Sequence, residues 1–146
     1  MNIFSSVALD SITVKSINID FDRPSIDLEK VALRLRLQAF FDDASDKDLH
    51  LCKLNFSATV TGKLTEDGEE PNFDDAEHEF TIVTSVDYIF RVQDSDAFLS
   101  LEEEERSDLC ANIVYLDFRR RVMMNASNIG VNSFSMPLSL SVLQKK

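Results

Sequence analysis

Over the first ninety residues apolar and polar side chains alternate along the chain with a period of two, and after residue 108 the period lengthens to that of a helix. From Val7 to Phe21 the apolar positions are Val7 and Leu9, then Ile12 and Val14, then Ile17, Ile19 and Phe21, so the parity slips twice. One extra residue in a strand turns every later side chain to the other face, and the pattern predicts a long strand with one or two bulges. Val31, Leu33, Leu35, Leu37 and Ala39 alternate with Arg34, Arg36 and Gln38 without a slip, which predicts an antiparallel strand with one buried and one wet face. Phe40 and Phe41 follow as neighbours, so one ring must leave the core face. A third strand runs from about Leu49 to Leu64, with Cys52, Leu54, Phe56, Ala58 and Val60 on one face. A fourth spans Phe80 to Val92 and carries Val83 and Ile89 on its second face, as expected of a central strand or one that meets another protomer.

From Leu109 to Ala126 the apolar residues fall on two adjacent helical lines. Cys110, Val114, Phe118, Val122 and Ala126 form one, and Leu109, Ile113, Leu116 and Met123 the other. A helix lying on one sheet needs an apolar stripe of about 100°. The wider band here predicts a second covering surface, another copy of the chain. Ser100 and Glu103 have the spacing of a capping box, the acids Glu102 to Glu105 suit a helix start, and Arg119, Arg120 and Arg121 fall in the helix's second half. The helix should stop at Gly130. Strands followed by a helix, with no βαβ alternation, predict a single α+β domain over residues 1–146: a four-stranded antiparallel meander with one long helix packed on it.

Charge narrows the partners. Fifteen Lys and Arg stand against 26 Asp and Glu, a formal net charge of −11 that repels nucleic acid and anionic membranes and attracts basic polypeptides. No apolar run approaches the roughly 20 residues of a spanning helix, and the opening Met-Asn-Ile-Phe-Ser-Ser does not read as a secretory leader. The expectation is a cytoplasmic protein without membrane insertion. Cys52 and Cys110 lie among apolar neighbours and suit a reducing compartment.

Catalytic patterns are missing from the sequence. His50 and Cys52 could share a strand face, but two ligands do not hold zinc. The acidic stretch from Thr65 to Glu79 lacks the alternate-position spacing of a calcium loop and reads as a solvated connection. Three glycines leave little from which to build a phosphate loop. A binding protein without cofactor or metal is expected rather than an enzyme.

The stretch Cys110-Ala-Asn-Ile-Val-Tyr115, with Arg119 beyond it, resembles the segment that opens the long helix of the SecB family of bacterial export chaperones. Ser127-Asn-Ile-Gly130 and the segment Phe134 to Leu138 are similar to that family's connection after the helix, and Ile17-Asn-Ile-Asp-Phe-Asp-Arg-Pro24 resembles the end of its first strand. Two departures stand out. Only Ser139 to Lys146 follows the connection, ending in two lysines, so the family's second helix should be reduced or absent and its acidic-tail contact with the SecA motor is placed in question. Ala111 and Leu116 stand where the family has prolines, which predicts a straighter helix.

The resemblance implies a dimer of dimers in which the long helix is sandwiched between sheets, and a holdase that keeps unfolded or precursor polypeptides in apolar grooves without chemistry. Phe40, Phe41, Phe134, Met136 and Leu138 are the candidate client contacts. Leu109, Ile113, Leu116, Phe118, Val122 and Met123 are the candidate oligomer contacts. The alternatives are a chaperone dedicated to one partner such as an antitoxin, an adaptor that retains the fold without the grooves, and, weakest, a small hydrolase.

Overall fold

The computed structural model describes residues 5–21, 31–43, 51–64, 80–131 and 135–139. Four strands, β1 (Val7–Phe21), β2 (Val31–Asp42), β3 (Leu51–Leu64) and β4 (Phe80–Val92), precede a short helix α1 (Ser95–Leu99) and a long helix α2 (Glu103–Asn128). All strand pairs are antiparallel, and the order across the sheet is β1-β4-β3-β2. Thus β2, β3 and β4 form a meander, and β1 lies along the free side of β4, which makes β4 a central strand. Central placement accounts for the apolar Val83 and Ile89 on its second face.

The two parity slips in β1 are two register shifts against β4, between Leu9 and Ser11 and between Val14 and Ser16. Each shift restores the apolar row: Leu9 pairs with Phe90, Ile12 with Tyr88, Val14 with Val86, Ile17 with Thr84 and Ile19 with Ile82. All those partners face the core. The extra residues are Asp10 and Lys15, and their charges go to β4, Asp10 to Arg91 at 2.9 Å and Lys15 to Asp87 at 4.0 Å. Arg91 and Lys15 both reach into solvent, so the two pairs add little stability. The outer face of β3 and β4 carries a polar network in which the Asn55 amide donates to Ser85 Oγ at 3.0 Å and to Asp87 Oδ1 at 2.9 Å.

The core lies between the inner face of β3 and β4 and helix α2. Leu54, Phe56, Val60, Ile82, Val86, Tyr88 and Phe90 from the sheet meet Cys110, Val114, Phe118, Val122 and Ala126 from the helix, all buried. Phe56 stacks on Phe118 with centroids 4.6 Å apart. Gly62 leaves room for the Phe80 ring beside it, which a Cβ there would strike. Helix α1 was not foreseen, although Asp94 caps it through Ala97 N–H at 3.1 Å, and it delivers the fully buried Phe98.

The start of α2 also differs from expectation. Ser100 caps the end of α1, and the capping box of α2 is Glu102 with Glu105, whose carboxylate accepts the Glu102 N–H at 3.1 Å. A Ser100 box would require α2 to begin two residues earlier, through the turn that separates the helices. The far end behaves as expected: Gly130 takes φ 92°, Gly130 N–H donates to Ser127 O, and Val131 N–H donates to Ala126 O, a Schellman closure that buries Val131. Among the described residues after Asn128 there is no further helix.

Candidate functional site

Helix α2 packs on β3 and β4, and its width decides what the protein leaves open. The first apolar line, Cys110 to Ala126, is consumed by the protomer's own sheet. On the second line Ile113 is 37% and Leu116 58% exposed, and Met124 beyond them is 51% exposed. Beside the helix, the inner row of β1 is uncovered as well, with Leu9, Ile12, Val14, Ile17 and Ile19 between 37 and 54% exposed. The row and the helix back meet at a cavity of about 190 Å³ lined by Val14, Ile17, Val86, Arg120, Arg121 and Met124, with Thr84 and Asn125 also in its lining. Asn125 is buried and donates to Thr84 Oγ1 at 2.9 Å.

Together these eight exposed side chains leave on the order of 600 Å² in water, at or above the largest apolar patch usual on a monomer. β1 is in addition a 15-residue edge strand whose outer side meets no further strand among the described residues, and long apolar edges pair readily with further strands.

Charged groups fix the helix at the rim of this face. Asp117 accepts from Tyr88 Oη at 2.9 Å, from Arg121 Nε at 2.8 Å and from Arg120 at 3.3 Å. Burial opposes its ionisation, but the Arg121 and Tyr88 hydrogen bonds outweigh that and hold the carboxyl below its usual range. Burial, reinforced by the bond to Asp117, pushes the Tyr88 hydroxyl well above its ordinary value.

The other flank of α2 holds the tail. Tyr115 Oη donates to Pro137 O at 2.6 Å, and Arg119 Nε donates to Met136 O at 2.8 Å. These bonds draw Met136 into the core, where it is 1% exposed, and leave Leu138 outside at 73%. Within the protomer Met136 is therefore a packing residue, where an open client contact was expected, because the carbonyls on either side of Pro137 are pinned to α2. On the same side of the sheet, Leu33, Leu35, Leu37 and Phe41 of β2 are half-buried against the edge of the core.

The paired phenylalanines divide as the strand geometry requires. Phe41, opposite Leu54, faces the helix side, whereas Phe40, opposite Asn55, stands on the outer face at 71% exposure. Phe41 also lines an open cavity of about 790 Å³ with Glu102, Glu103, Glu104, Glu105, Ser107 and Asp108. The two rings therefore do not share one groove. Phe134 lies outside the described residues, as do His50, His78 and the acidic stretch 65–79.

Of the candidate oligomer contacts, Ile113 and Leu116 are exposed and Met123 is half-buried. Leu109, Phe118 and Val122 are buried within the protomer, because their positions on the helix turn them to its own core. Sequence reasoning missed the part of the open face contributed by β1. Its signal is the doubled slip, which predicted the bulges and by them keeps the apolar residues of β1 in line.

A four-stranded antiparallel sheet in this order, with a long helix packed on one face, is the SecB-like fold. The chain is similar to the solved structure of the Mycobacterium tuberculosis Rv1957 SecB-like chaperone in complex with a ChAD peptide from the Rv1956 HigA1 antitoxin, with TM-score 0.61 and 10% identity over 92% of this chain and 91% of that one. A protein of unknown function from Streptococcus agalactiae aligns over 92% of this chain and 97% of its own at TM-score 0.37 and 13% identity. No family model and no curated protein sequence matches. No helix among the described residues is long and apolar enough to cross a membrane.

Proposed function

We propose that this protein is a SecB-like holdase, a chaperone without catalytic activity that binds unfolded polypeptides and works as a homo-oligomer. The observation that carries the reading is the apolar face of β1 and α2, left open by a helix too narrow to cover its own sheet. In this reading identical chains close that face, as a dimer of dimers with α2 between sheets. Covering about 600 Å² on each of two protomers reaches the lower end of the roughly 1,200–2,000 Å² that stable interfaces bury.

Clients then bind on the opposite flank. There the half-buried leucines of β2, Phe41 and the exposed Leu138 offer apolar contacts, and the carboxylates Glu102 to Glu105 favour segments in which apolar residues neighbour Lys or Arg. The net charge of −11 raises encounter rates with such chains.

The finer choice lies between a general export chaperone, which would engage SecA, and one dedicated to a single partner. The resemblance of the fold to Rv1957, whose structure holds an antitoxin peptide, favours the dedicated role. The test is suppression of aggregation of a chemically denatured model substrate without nucleotide, followed in competition by light scattering. A holdase suppresses aggregation near one assembly per client. Failure at tenfold excess, with one native partner recovered instead, would establish the adaptor reading. A dedicated chaperone protects its partner at far lower concentration than it protects the model substrate.

A further inference from the structure

The two cysteines take no part in the surfaces described above, yet they occupy facing positions across the seam between sheet and helix. Cys52 is 1% exposed on the inner face of β3, and Cys110 is fully buried on the line of α2 that faces the sheet. Their placement follows from the Phe56–Phe118 stack. Four residues back along β3 is about 13 Å at strand rise, and eight residues back along α2 is about 12 Å at helix rise, so both paths lead from the stack to Cys52 and Cys110. Asp117 meets Tyr88 and Asn125 meets Thr84, so α2 runs opposite to β4 and along β3, which sets the two thiols facing each other; neither is in a disulfide. Arg106 lies one turn before Cys110, in a buried ion pair with Asp43.

We propose that Cys52 and Cys110 form a redox lock: a peroxide converts the thiol pair to a disulfide that staples α2 to β3, and a reductant releases it. The Cys52 thiolate attacks one oxygen of hydrogen peroxide. An S–O bond forms, the O–O bond breaks, and the departing hydroxide takes the proton that Cys52 released, giving water. Cys110 then attacks the Cys52 sulfur. The S–S bond forms as the S–O bond breaks, and the second hydroxide leaves as water with the Cys110 proton. Two thiols are oxidised by two electrons and one peroxide is reduced to two waters. The division of roles follows from the pairing: the Cys110 side chain holds the Cys52 thiol below its ordinary value against the opposing effect of burial, and Cys52, together with burial, raises that of Cys110. Burial makes the reaction slow, gated by local opening of the seam.

The test exposes the full-length protein to hydrogen peroxide, quenches it, alkylates it in denaturant and measures intact mass and proteolytic peptides. The lock predicts a chain lighter by two hydrogen atoms that takes up no alkylating agent, a peptide joining Cys52 to Cys110, and a urea midpoint that rises and returns with dithiothreitol. Cys52→Ser and Cys110→Ser each abolish the linkage. Should either variant fail to fold, the thiol count of the unmodified protein before and after peroxide decides the matter. Two alkylated thiols after treatment, oxygen added without linkage, or a disulfide between chains would overturn the proposal.

Discussion

Replacing Arg106 by Met should be among the most damaging single changes outside the apolar core, and its size can be worked from the contacts. The guanidinium meets Asp43 through Nε at 3.1 Å and through an Nη at 2.7 Å, donates to the Leu101 carbonyl, and stands 5.8 Å from the centre of the Phe98 ring. The two charged side chains are only 13% and 10% exposed, so solvent screens the pair weakly. Methionine retains much of the side-chain volume and deletes the charge. Asp43 would remain buried, with Oδ1 already lacking a hydrogen-bond partner among the described residues. Removing one member of a buried pair costs about 3–5 kcal/mol. The lost contact with Phe98 adds about 0.5–1 kcal/mol. A domain of ordinary stability has about 5–15 kcal/mol in all, so the variant should lose about a quarter or more of it.

Urea unfolding followed by far-ultraviolet circular dichroism measures the change, provided the slope with denaturant stays constant. The double variant R106M/D43L supplies the control. With neither charge left, much of the loss should return, because an apolar pair of similar shape leaves no stranded carboxylate. A single-variant loss under 1 kcal/mol, or a double variant as weak as the sum of its parts, would refute the placement of this pair as the tie between β2, α1 and α2.

Other substitutions probe separate links in the account. Leu116→Asp, on an exposed helix position, should leave monomer stability within about 1 kcal/mol but break assembly, since burying a carboxylate at each contact costs several kcal/mol; sedimentation velocity reads the change. Gly130→Ala places a Cβ at φ 92° and should cost about 1–2 kcal/mol by thermal or urea unfolding. Gly62→Ala pushes against the buried Phe80 ring and should cost about 1–3 kcal/mol in the same assay. Asp117 has its carboxyl held below the unfolded value of 3.8, so its contribution is present above that pH and disappears as pH falls through the lowered folded value. Asp117→Asn should therefore be destabilised at neutral pH and lose that part of the acid dependence, as measured by urea midpoints between pH 2 and 7.

The elements and the inner faces of the sheet were legible because a half-buried strand and a helix impose different periods on the same residues. Val7–Phe21 and Phe80–Val92 have the bounds read from the pattern, and both bulges fall where the parity slips. Strand order was less accessible. The place of β1 beside β4 depends on which edge its long connection reaches, and alternation within β1 carries no record of that. Helix α1 was hidden by its five-residue length, too short for periodicity, although Asp94 and Phe98 marked its cap and its buried side chain. For the surfaces, the doubled apolar line on α2 announced an uncovered back, but it could not separate Phe118, turned to the core, from Leu116, turned outward. Met136 shows the limit most clearly. An apolar residue in an uncharged tail reads as available until Tyr115 and Arg119 are seen to bind the carbonyls that pull it inside.

The central claim is that copies of this chain cover the apolar face of β1 and α2. Sedimentation velocity of the unmodified protein at tens of micromolar, in buffer near physiological ionic strength, tests it most directly. The account predicts a boundary at a multiple of the 16.6 kDa chain mass, shifted toward the monomer by Ile17→Asp or Leu116→Asp. A single 16.6 kDa species, unchanged by either substitution, would contradict it.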